Sequence, residues 1–242
     1  MKIENRTVLI TGANRGIGQA LVNEALQRGA RRVYAGTRGT IENADKRVTP
    51  IMLDVTNIAQ IQQAARDVGA LDMLINNAGI ALYDDLTGFD AIEKHLVVNL
   101  FGTLNVTRAF MPLLKRSRGA IVNNLSMAAL APLPFIPSYS ISKAASSNMT
   151  QSLRALLAGE GVAVHAVFLG PIDTDMNRGL EIPKASPESA AQGIFDGLEA
   201  GEEDIFPDPA SRPLTEGWRG GVVKVLEREF TAFVQQSAEV PA

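Results

Sequence analysis

The sequence predicts a single-domain, three-layer α/β fold built on a doubly wound parallel sheet. Short runs rich in β-branched residues alternate with longer helical patterns along the first 170 residues. Several of the runs are apolar without alternation, which is typical of strands buried on both faces. The chain has 242 residues, of which 46% are hydrophobic and 20% charged, and no flexible linker precedes residue 200. One domain covering residues 1–242 accounts for these features.

The elements follow in chain order. The predicted strands are Thr7–Thr11, Arg32–Ala35, Val48–Leu53, Met73–Ile75, Ala120–Leu125 and Val162–Leu169. The predicted helices cover residues 16–28, 57–68, 90–115 and 139–158. Between Thr37 and Arg47 the link is shorter than the roughly dozen residues of a normal crossover, so we expect a stunted turn there.

The C-terminal part has a weaker pattern. Residues 202–206 are a candidate last strand, and residues 207–242 are predicted to form an extension. The stretch from Pro207 to Gly221 is rich in Pro and Gly, which predicts irregular structure. After it, a final helix is predicted with one apolar face, formed by Val222, Leu226, Phe230 and Phe233.

Composition excludes several classes of function. Lys and Arg number 23 and Asp and Glu 26, so with a net charge of −3 neither nucleic acid nor an anionic membrane is an expected partner. Cysteine is absent, which excludes disulfides, thiolate chemistry and Cys-ligated metals. The polar start, and the interruption of the apolar segment 120–136 by Asn, Ser and Pro, predict a cytoplasmic protein without a membrane span. His95 and His165 are the only histidines, and no metal site is expected.

A glycine-rich turn follows the first strand. Residues 11–18 read Thr-Gly-Ala-Asn-Arg-Gly-Ile-Gly and lead into a helix. Glycines at these positions allow a tight turn and a close approach to a diphosphate, and free N–H groups at a helix start attract anions. The turn therefore predicts a dinucleotide site.

The end of the second strand indicates which dinucleotide. An NAD site usually has an acid there, about 20 residues beyond the glycines, to bind the ribose 2′-hydroxyl. This chain has Thr37 and Arg38 instead. A guanidinium at this position, helped by Arg15 in the glycine turn, can bind a 2′-phosphate. We therefore expect NADP(H) as the cofactor.

Three further residues form a candidate catalytic group. Tyr139 and Lys143 are one helical turn apart and share a face. Ser126 follows a predicted strand, at the edge where open α/β sheets bind ligands. Hydride delivery to a carbonyl requires a proton donor, and a phenol with a pKa near 10 is a weak one at neutral pH. An ammonium at about 4 Å contributes roughly 4 kcal/mol, so we expect Lys143 to lower the pKa of Tyr139 by about three units.

These motifs together resemble the short-chain dehydrogenase/reductase family, which has a Rossmann fold. The resemblance covers about residues 5 to 176 and rests on the glycine turn, Asn76-Asn77-Ala78-Gly79, Asn99, Ser126, Tyr139-x-x-x-Lys143 and Gly170-Pro171-Ile172-Asp173-Thr174. It implies that Tyr139 is the acid/base and that Ser126 holds the substrate oxygen. It also implies that Lys143 binds the nicotinamide ribose and that Asn99 supports a water-linked proton relay.

The predicted cofactor residues come from two sources. The glycine turn and the end of the second strand were identified above, and the resemblance adds contacts to the adenine, from Asp54 and Val55, and to the nicotinamide. They are Gly12, Asn14, Arg15, Gly16, Ile17, Gly18, Thr37, Arg38, Asp54, Val55, Asn77, Ala78, Gly79, Tyr139, Lys143, Ile172 and Thr174.

The chain departs from the family pattern in three places. Leu125 stands where a second serine is common, and Leu169 replaces the proline before Gly170, which makes the contacts of Ile172 and Thr174 less secure. A glycine-rich ending is missing, so the last strand and the oligomer surface built on it are in question. A homo-oligomer, dimer or tetramer, is still expected because the helix carrying Tyr139 often pairs with its copy in this family.

The expected function is an NADP(H)-dependent carbonyl reductase or alcohol dehydrogenase acting on a small apolar ketone or secondary alcohol. Apolar residues between Ser126 and Tyr139 favour such a substrate, with core packing as the alternative for them; they are Met127, Leu130, Leu133, Phe135 and Ile136. One rival is a sugar-nucleotide epimerase or dehydratase, which usually has a larger C-terminal domain. The other is a regulator that binds NADP(H) without turnover.

Overall fold

One parallel sheet of seven strands forms the centre of the computed structural model, which describes residues 1–39, 41 and 45–238. The spatial order is β3-β2-β1-β4-β5-β6-β7. The strands are β1 Thr7–Thr11, β2 Arg32–Thr37, β3 Val48–Met52, β4 Met73–Asn76, β5 Ala120–Asn124, β6 Ala163–Val167 and β7 Asp204–Ile205. The doubly wound parallel sheet predicted from the sequence is confirmed.

Helices cover both faces of the sheet. They are α1 Gly16–Gln27, α2 Ile58–Val68, α3 Asp90–His95, α4 Thr103–Ser117, α5 Pro137–Leu157, α6 Pro187–Ala200, α7 Thr215–Arg219 and α8 Val222–Ala238. Successive β1 residues point to opposite layers, because Val8 and Ile10 join one buried apolar cluster and Leu9 joins the other. Every position of β1 is thus buried in one layer or the other, which explains its apolar run without alternation.

Helix 90–115 of the prediction is interrupted in the structure. A π-helical segment, Leu96–Gly102, separates α3 from α4 and contains Asn99. The carbonyl of Asn99 accepts hydrogen bonds from the hydroxyls of Thr103 and Ser146, at 3.0 and 3.1 Å. These side-chain bonds replace a regular helical bond, a substitution that apolar periodicity does not reveal.

Helix α6 was not predicted from the sequence. Ser186 caps its start by accepting a hydrogen bond from the Ser189 N–H, and Pro187 occupies its first turn. The helix buries Ile194, Phe195 and Leu198 against α1 and the sheet. The Ser-Pro-Glu start was a readable signal for this helix.

The C-terminal part is more regular than predicted. Strand β7 is only two residues long but pairs in parallel with β6. Between Pro207 and Gly221, where irregular structure was expected, a 3₁₀ turn at Arg212–Leu214 leads into α7. The stunted turn expected between Thr37 and Arg47 falls partly on residues 40 and 42–44, which lie outside the described residues.

One helical stretch of the described residues is long and apolar enough to cross a membrane, and it differs from segment 120–136 discussed above. By length and composition, the continuous helical stretch Asp90–Ser117 passes that test, and 33% of its most apolar window is buried. Core helices of soluble proteins pass the same test, so this helix alone is weak evidence for a membrane span.

Candidate active site

The predicted site residues follow the carboxyl ends of neighbouring strands. Strand β1 pairs with β2 on one side and with β4 on the other, and the chain reverses its winding direction at β1. In an open α/β sheet a ligand cleft lies outside the strand ends at this point. The glycine turn, the Asn-Asn-Ala-Gly segment and Ser126 all follow strands that end on this edge.

The glycine turn needs glycine at three positions for different reasons. Gly12 and Gly16 have φ of +66° and +53°, in the left-handed region that favours glycine. A Cβ on Gly18 would lie 2.0 Å from the Gly12 carbonyl oxygen. Helix α1 therefore begins in direct contact with the turn, and its first N–H groups, which have no partner within the helix, point towards the cleft edge.

Asn77 and Thr11 fasten the next segment to the turn. The Thr11 hydroxyl accepts hydrogen bonds from the N–H groups of Asn77 and Ala78, both at 3.0 Å. The Asn77 amide donates to the carbonyls of Thr11 and Gly12, at 3.0 and 3.3 Å. The N–H groups of Asn77 and Ala78, two of the predicted cofactor residues, are thus already bonded within the chain, and the Asn77 side chain positions the turn.

The two arginines expected to bind a 2′-phosphate have different surroundings. Arg38 is exposed directly after β2, where its charge helps to lower the pKa of Asp54. For Asp54, burial alone would raise the pKa, but hydrogen bonds from the Thr56 N–H and hydroxyl outweigh it. Arg15 pairs with Asp175 at 3.1 Å on the other side of the glycine turn, so its charge is partly neutralised.

Ser126, Tyr139 and Lys143 converge beside the end of β5. The Ser126 hydroxyl lies close enough to the Tyr139 phenol to oppose the effect of burial on its pKa. The Lys143 ammonium donates to the Asn124 carbonyl at 2.7 Å and lies 5.7 Å from the centre of the Tyr139 ring. Tyr139 and Lys143 are buried, with 9% and 7% of their surfaces exposed.

The expected lowering of the tyrosine pKa is wrong for the chain without cofactor. Burial raises the pKa of Tyr139, and the nearby Ser126 hydroxyl opposes this only in part. Burial also lowers the pKa of Lys143 to about 8. Folding removes water from both the phenol and the ammonium. This loss of hydration is the largest influence on both pKa values.

Asn99 is held firmly near these residues. Its amide donates to the Ile80 carbonyl and to the Ser142 hydroxyl, both at 3.0 Å, and its side-chain oxygen accepts from the Ile80 N–H at 2.9 Å. A Cβ on Gly79 would come within 3.2 Å of the Asn99 oxygen and 3.8 Å of the Lys143 nitrogen. Glycine at position 79 therefore keeps open the space beside Lys143.

Sequence reasoning missed the residues that surround Tyr139. The His95 ring is buried and contacts the Tyr139 ring edge-on, at 6.1 Å between centroids. It accepts from the Leu82 N–H at 3.0 Å, and burial lowers its pKa. Asp84 accepts hydrogen bonds from the N–H and hydroxyl of Ser138, the residue before Tyr139. No sequence pattern indicates either of these contacts.

Asp208 is a second missed residue. It is fully buried, and one carboxylate oxygen accepts from the Gly170 N–H at 2.8 Å. A Cβ on Gly170 would lie 2.5 Å from the other oxygen. Asp208 thereby fixes the loop that continues to Ile172, which is buried, and Thr174, which contacts Gly16. The Pro-rich extension after β7 thus has a defined role, which its composition concealed.

The apolar side chains between Ser126 and Tyr139 divide between the surface and the core. Leu133 and Phe135 are 39% and 44% exposed, and the Phe135 ring lies 6.1 Å from the ring of Tyr83. Leu130, by contrast, packs against the buried cluster of Phe168 and Phe206. The loop between Ser126 and Tyr139 therefore divides between an apolar surface and core packing.

Several features of the described residues suit a dinucleotide. A cleft of about 280 Å³ lies between α1 and residues 173–188, and of the predicted cofactor residues it includes Gly16 and Thr174. The glycine turn there has no Cβ at its tightest points, and the nearby open side of Gly79 leads to Lys143. Among the residues that the structure describes, no group of three or more His, Asp and Glu side chains is placed to hold a metal ion.

Comparison with known proteins decides the family. The model of the short chain dehydrogenase family matches residues 6–184. The chain belongs to this family. An uncharacterized oxidoreductase from Staphylococcus epidermidis is 34% identical to this short-chain dehydrogenase over 209 residues, which are 81% of this chain and 90% of that protein. The rat estradiol 17-beta-dehydrogenase 2 is 32% identical over 73% of this chain and 50% of its own length.

Solved structures of relatives share the whole fold. A short chain dehydrogenase from Burkholderia cenocepacia, crystallised with NADP, is 38% identical with a TM-score of 0.86, covering 95% of this chain and 98% of that one. The NADPH-bound carbonyl reductase from chicken fatty liver is 27% identical with a TM-score of 0.76, covering 84% and 94%.

Proposed function

We propose that this short-chain dehydrogenase is an NADP(H)-dependent oxidoreductase that interconverts a ketone or aldehyde with the corresponding alcohol. The observation that carries the proposal is the convergence of the half-buried Ser126 with the buried Tyr139 and Lys143 near Gly79. A phenol, a hydroxyl and an ammonium in one dry cleft are suited to handling the proton of a carbonyl reduction.

In this proposal Tyr139 donates a proton to the carbonyl oxygen and takes it back in the reverse direction. Ser126 shares the substrate oxygen with Tyr139, because the two hydroxyls lie near each other beside the end of β5. Lys143 binds the nicotinamide ribose and favours the phenolate through its charge. Asn99 supports a water-linked relay that returns the proton from solvent, and His95 and Asp84 hold Tyr139 in its orientation.

NADP(H), when bound, supplies the hydride, and its oxidised ring adds a positive charge to the cleft. The glycine turn receives its diphosphate at the start of α1, and Arg38 binds the 2′-phosphate. Thr37, Asp54 and Val55 border the adenosine end, whereas Ile172 and Thr174 border the nicotinamide end. The NADP- and NADPH-bound structures of relatives support this cofactor.

For the substrate we propose a small apolar ketone or secondary alcohol. The exposed rings of Tyr83 and Phe135 offer it an apolar wall. We also propose that the enzyme acts in the cytoplasm and assembles as a dimer or tetramer, with α5 packed against its copy.

The direct test is to mix the protein with NADPH and a panel of aryl and aliphatic ketones. Loss of reduced-nicotinamide absorbance that depends on both protein and ketone is the expected result. Binding of NADPH, measured by fluorescence, is followed in parallel. Binding without consumption across the panel would contradict the proposal and favour a regulator that senses NADP(H).

A further inference from the structure

Helix α8 is attached to the domain by its charged side. Lys224 is buried and lies within 2.9 Å of carboxylate oxygens of Glu203, Asp204 and Glu227. Arg154, from α5, pairs with Glu227 and with Asp204. Ion pairs therefore fix this helix to β7 and α5, and its orientation is set by charge.

The opposite side of the helix is apolar and faces outwards. This outer face of α8 consists of Val222, Val223, Val225, Leu226 and Phe230, which are between 41% and 70% exposed. An ordinary surface helix buries its apolar side and exposes its polar side. The inverted arrangement of α8 places apolar side chains around Glu229 on the surface, and exposed apolar patches of a few hundred Å² are often interaction sites.

The charges beside the patch disfavour a lipid surface as its partner. Among the charged side chains of α8, Lys224 and Glu227 take part in the ion pairs. Arg228 and Glu229 are exposed, and their opposite charges leave no net charge on the outside of the helix. Glu229 lies within the outer face by helical position. Helices that bind anionic membranes carry Lys and Arg on their polar face, and this helix offers no excess of them.

The spacing of the patch favours a second helix of the same kind. Val223, Leu226 and Phe230 are separated by three and four residues, which is the spacing of a coiled-coil seam. In an antiparallel pair, Leu226 of one copy lies opposite the partner subunit's Phe230. By symmetry, Phe230 of the first copy lies opposite the partner subunit's Leu226. Each layer then combines one smaller and one larger side chain, so the seam is self-complementary under two-fold symmetry.

We propose that the outer face of α8 is a self-association surface on which two copies of this chain pack α8 against α8, antiparallel, around a two-fold axis. From the exposed fractions, the five side chains offer about 500 Å² on each copy, taking roughly 200 Å² for a whole aromatic side chain. Val225 lies about 130° around the helix from the seam and stays outside it, so two copies bury at most about 850 Å² together, which is the size of a small interface. This surface is distinct from the α5 pairing proposed above and does not depend on the enzymatic activity.

Cross-linking tests the pairing geometry, because the natural chain has no cysteine. With Leu226 opposite Phe230, the two-fold axis passes at the level of residue 228, about 1.5 Å along the helix from Glu229. Glu229→Cys is therefore expected to give a covalent dimer with a short bis-maleimide. Gln62→Cys, exposed on α2, is the matched control and is expected to stay uncrosslinked.

Sedimentation velocity tests the association itself. The double variant Leu226→Glu/Phe230→Glu is expected to halve the mass of the wild-type particle, with an unchanged circular dichroism spectrum because the ion pairs remain. Phe89→Glu, at a residue 87% exposed elsewhere on the surface, is expected to keep the wild-type mass. An unchanged mass of the double variant, or cross-linking of Glu229→Cys no greater than that of Gln62→Cys, would overturn the proposal. Flotation of a monomeric wild-type protein with anionic vesicles would also overturn it, in favour of lipid.

Discussion

Two buried lysines in this protein have opposite surroundings. Lys143, in the cleft, is 7% exposed, and its recorded hydrogen bond goes to the Asn124 carbonyl. Lys224, on α8, is 3% exposed and contacts three carboxylates. Burial lowers the pKa of Lys143 to about 8. Burial acts on Lys224 in the same direction, but its hydrogen bonds to Asp204 and Glu203 outweigh it and raise the pKa.

The number of carboxylate partners decides whether each lysine charge is free to interact with another group. The charge of Lys224 is balanced by its carboxylates, so it serves to attach a helix. Lys143 is paired with no carboxylate in the described part of the chain, and its charge remains available to a nearby phenolate or ribose. Such an ammonium costs stability, a common feature of functional sites. The predictions below test this contrast.

The largest effect is expected at the phenol beside Lys143. Tyr139→Phe removes the proposed proton donor but leaves the ring against His95, so ketone reduction is expected to fall by about 10³-fold. Binding of NADPH is expected to stay within a few-fold of wild type. Initial rates of NADPH oxidation and fluorescence titration measure the two. Near-normal turnover by this variant would exclude Tyr139 as the acid.

Removing the other lysine is expected to affect stability and leave the chemistry intact. Lys224→Met leaves the buried Asp204 and Glu227 with fewer cationic partners, and breaking a buried pair in this way costs about 3 kcal/mol of unfolding free energy. Urea denaturation measures the loss. Turnover per folded molecule is expected to match wild type, and a large loss of turnover would show that the α8 ion pairs reach the active site.

The pH dependence of stability is expected to distinguish Lys143 from Lys224. Because the folded pKa of Lys143 is about 8 and its unfolded value about 10.5, the unfolded chain binds the extra proton between these pH values. Stability of the wild type should therefore rise with pH across this window, by about 3 kcal/mol relative to Lys143→Met. Urea denaturation of both proteins at pH 7 and pH 10.5 measures it. A constant difference would mean that the ammonium carries no burial cost.

The smallest effect is expected at the exposed cation of the adenosine end. Arg38→Asp replaces a phosphate-binding group by a repelling one, so the NADPH/NADH ratio of kcat/KM should fall by about 30-fold, equivalent to about 2 kcal/mol. Arg66→Asp, an exposed arginine on α2, serves as the control. An unchanged ratio in the Arg38 variant would remove Arg38 from the cofactor site.

Much of the fold could be predicted because local patterns decide it. The buried strands and the glycine turn each have a signal within a few residues, as Val8 to Ile10 and Gly12 to Gly18 illustrate. The π-helical segment around Asn99 could not be predicted, because it depends on a hydroxyl donated from Ser146 on another helix.

The candidate site shows the same division. Tyr139 and Lys143 could be singled out because they are one turn apart on one helix. The contacts of Asp208 with Gly170 and of His95 with Tyr139 join residues far apart in sequence, and no spacing rule reports them. The pKa of Tyr139 was expected to fall and is raised, because burial is a property of the whole fold.

The most direct measurement is the pKa of the Lys143 ammonium itself, by NMR of the protein with ¹⁵N-labelled lysine and Lys143→Met for assignment. A resonance that titrates at about pH 8 is expected for Lys143. The Lys224 ammonium is expected to lose its proton at a higher pH than an ordinary lysine, because its pKa is raised. A value of 10.5 or higher for Lys143 would contradict the distinction between the two lysines. Its ammonium would then carry no cost of burial and would not differ from the balanced ammonium of Lys224.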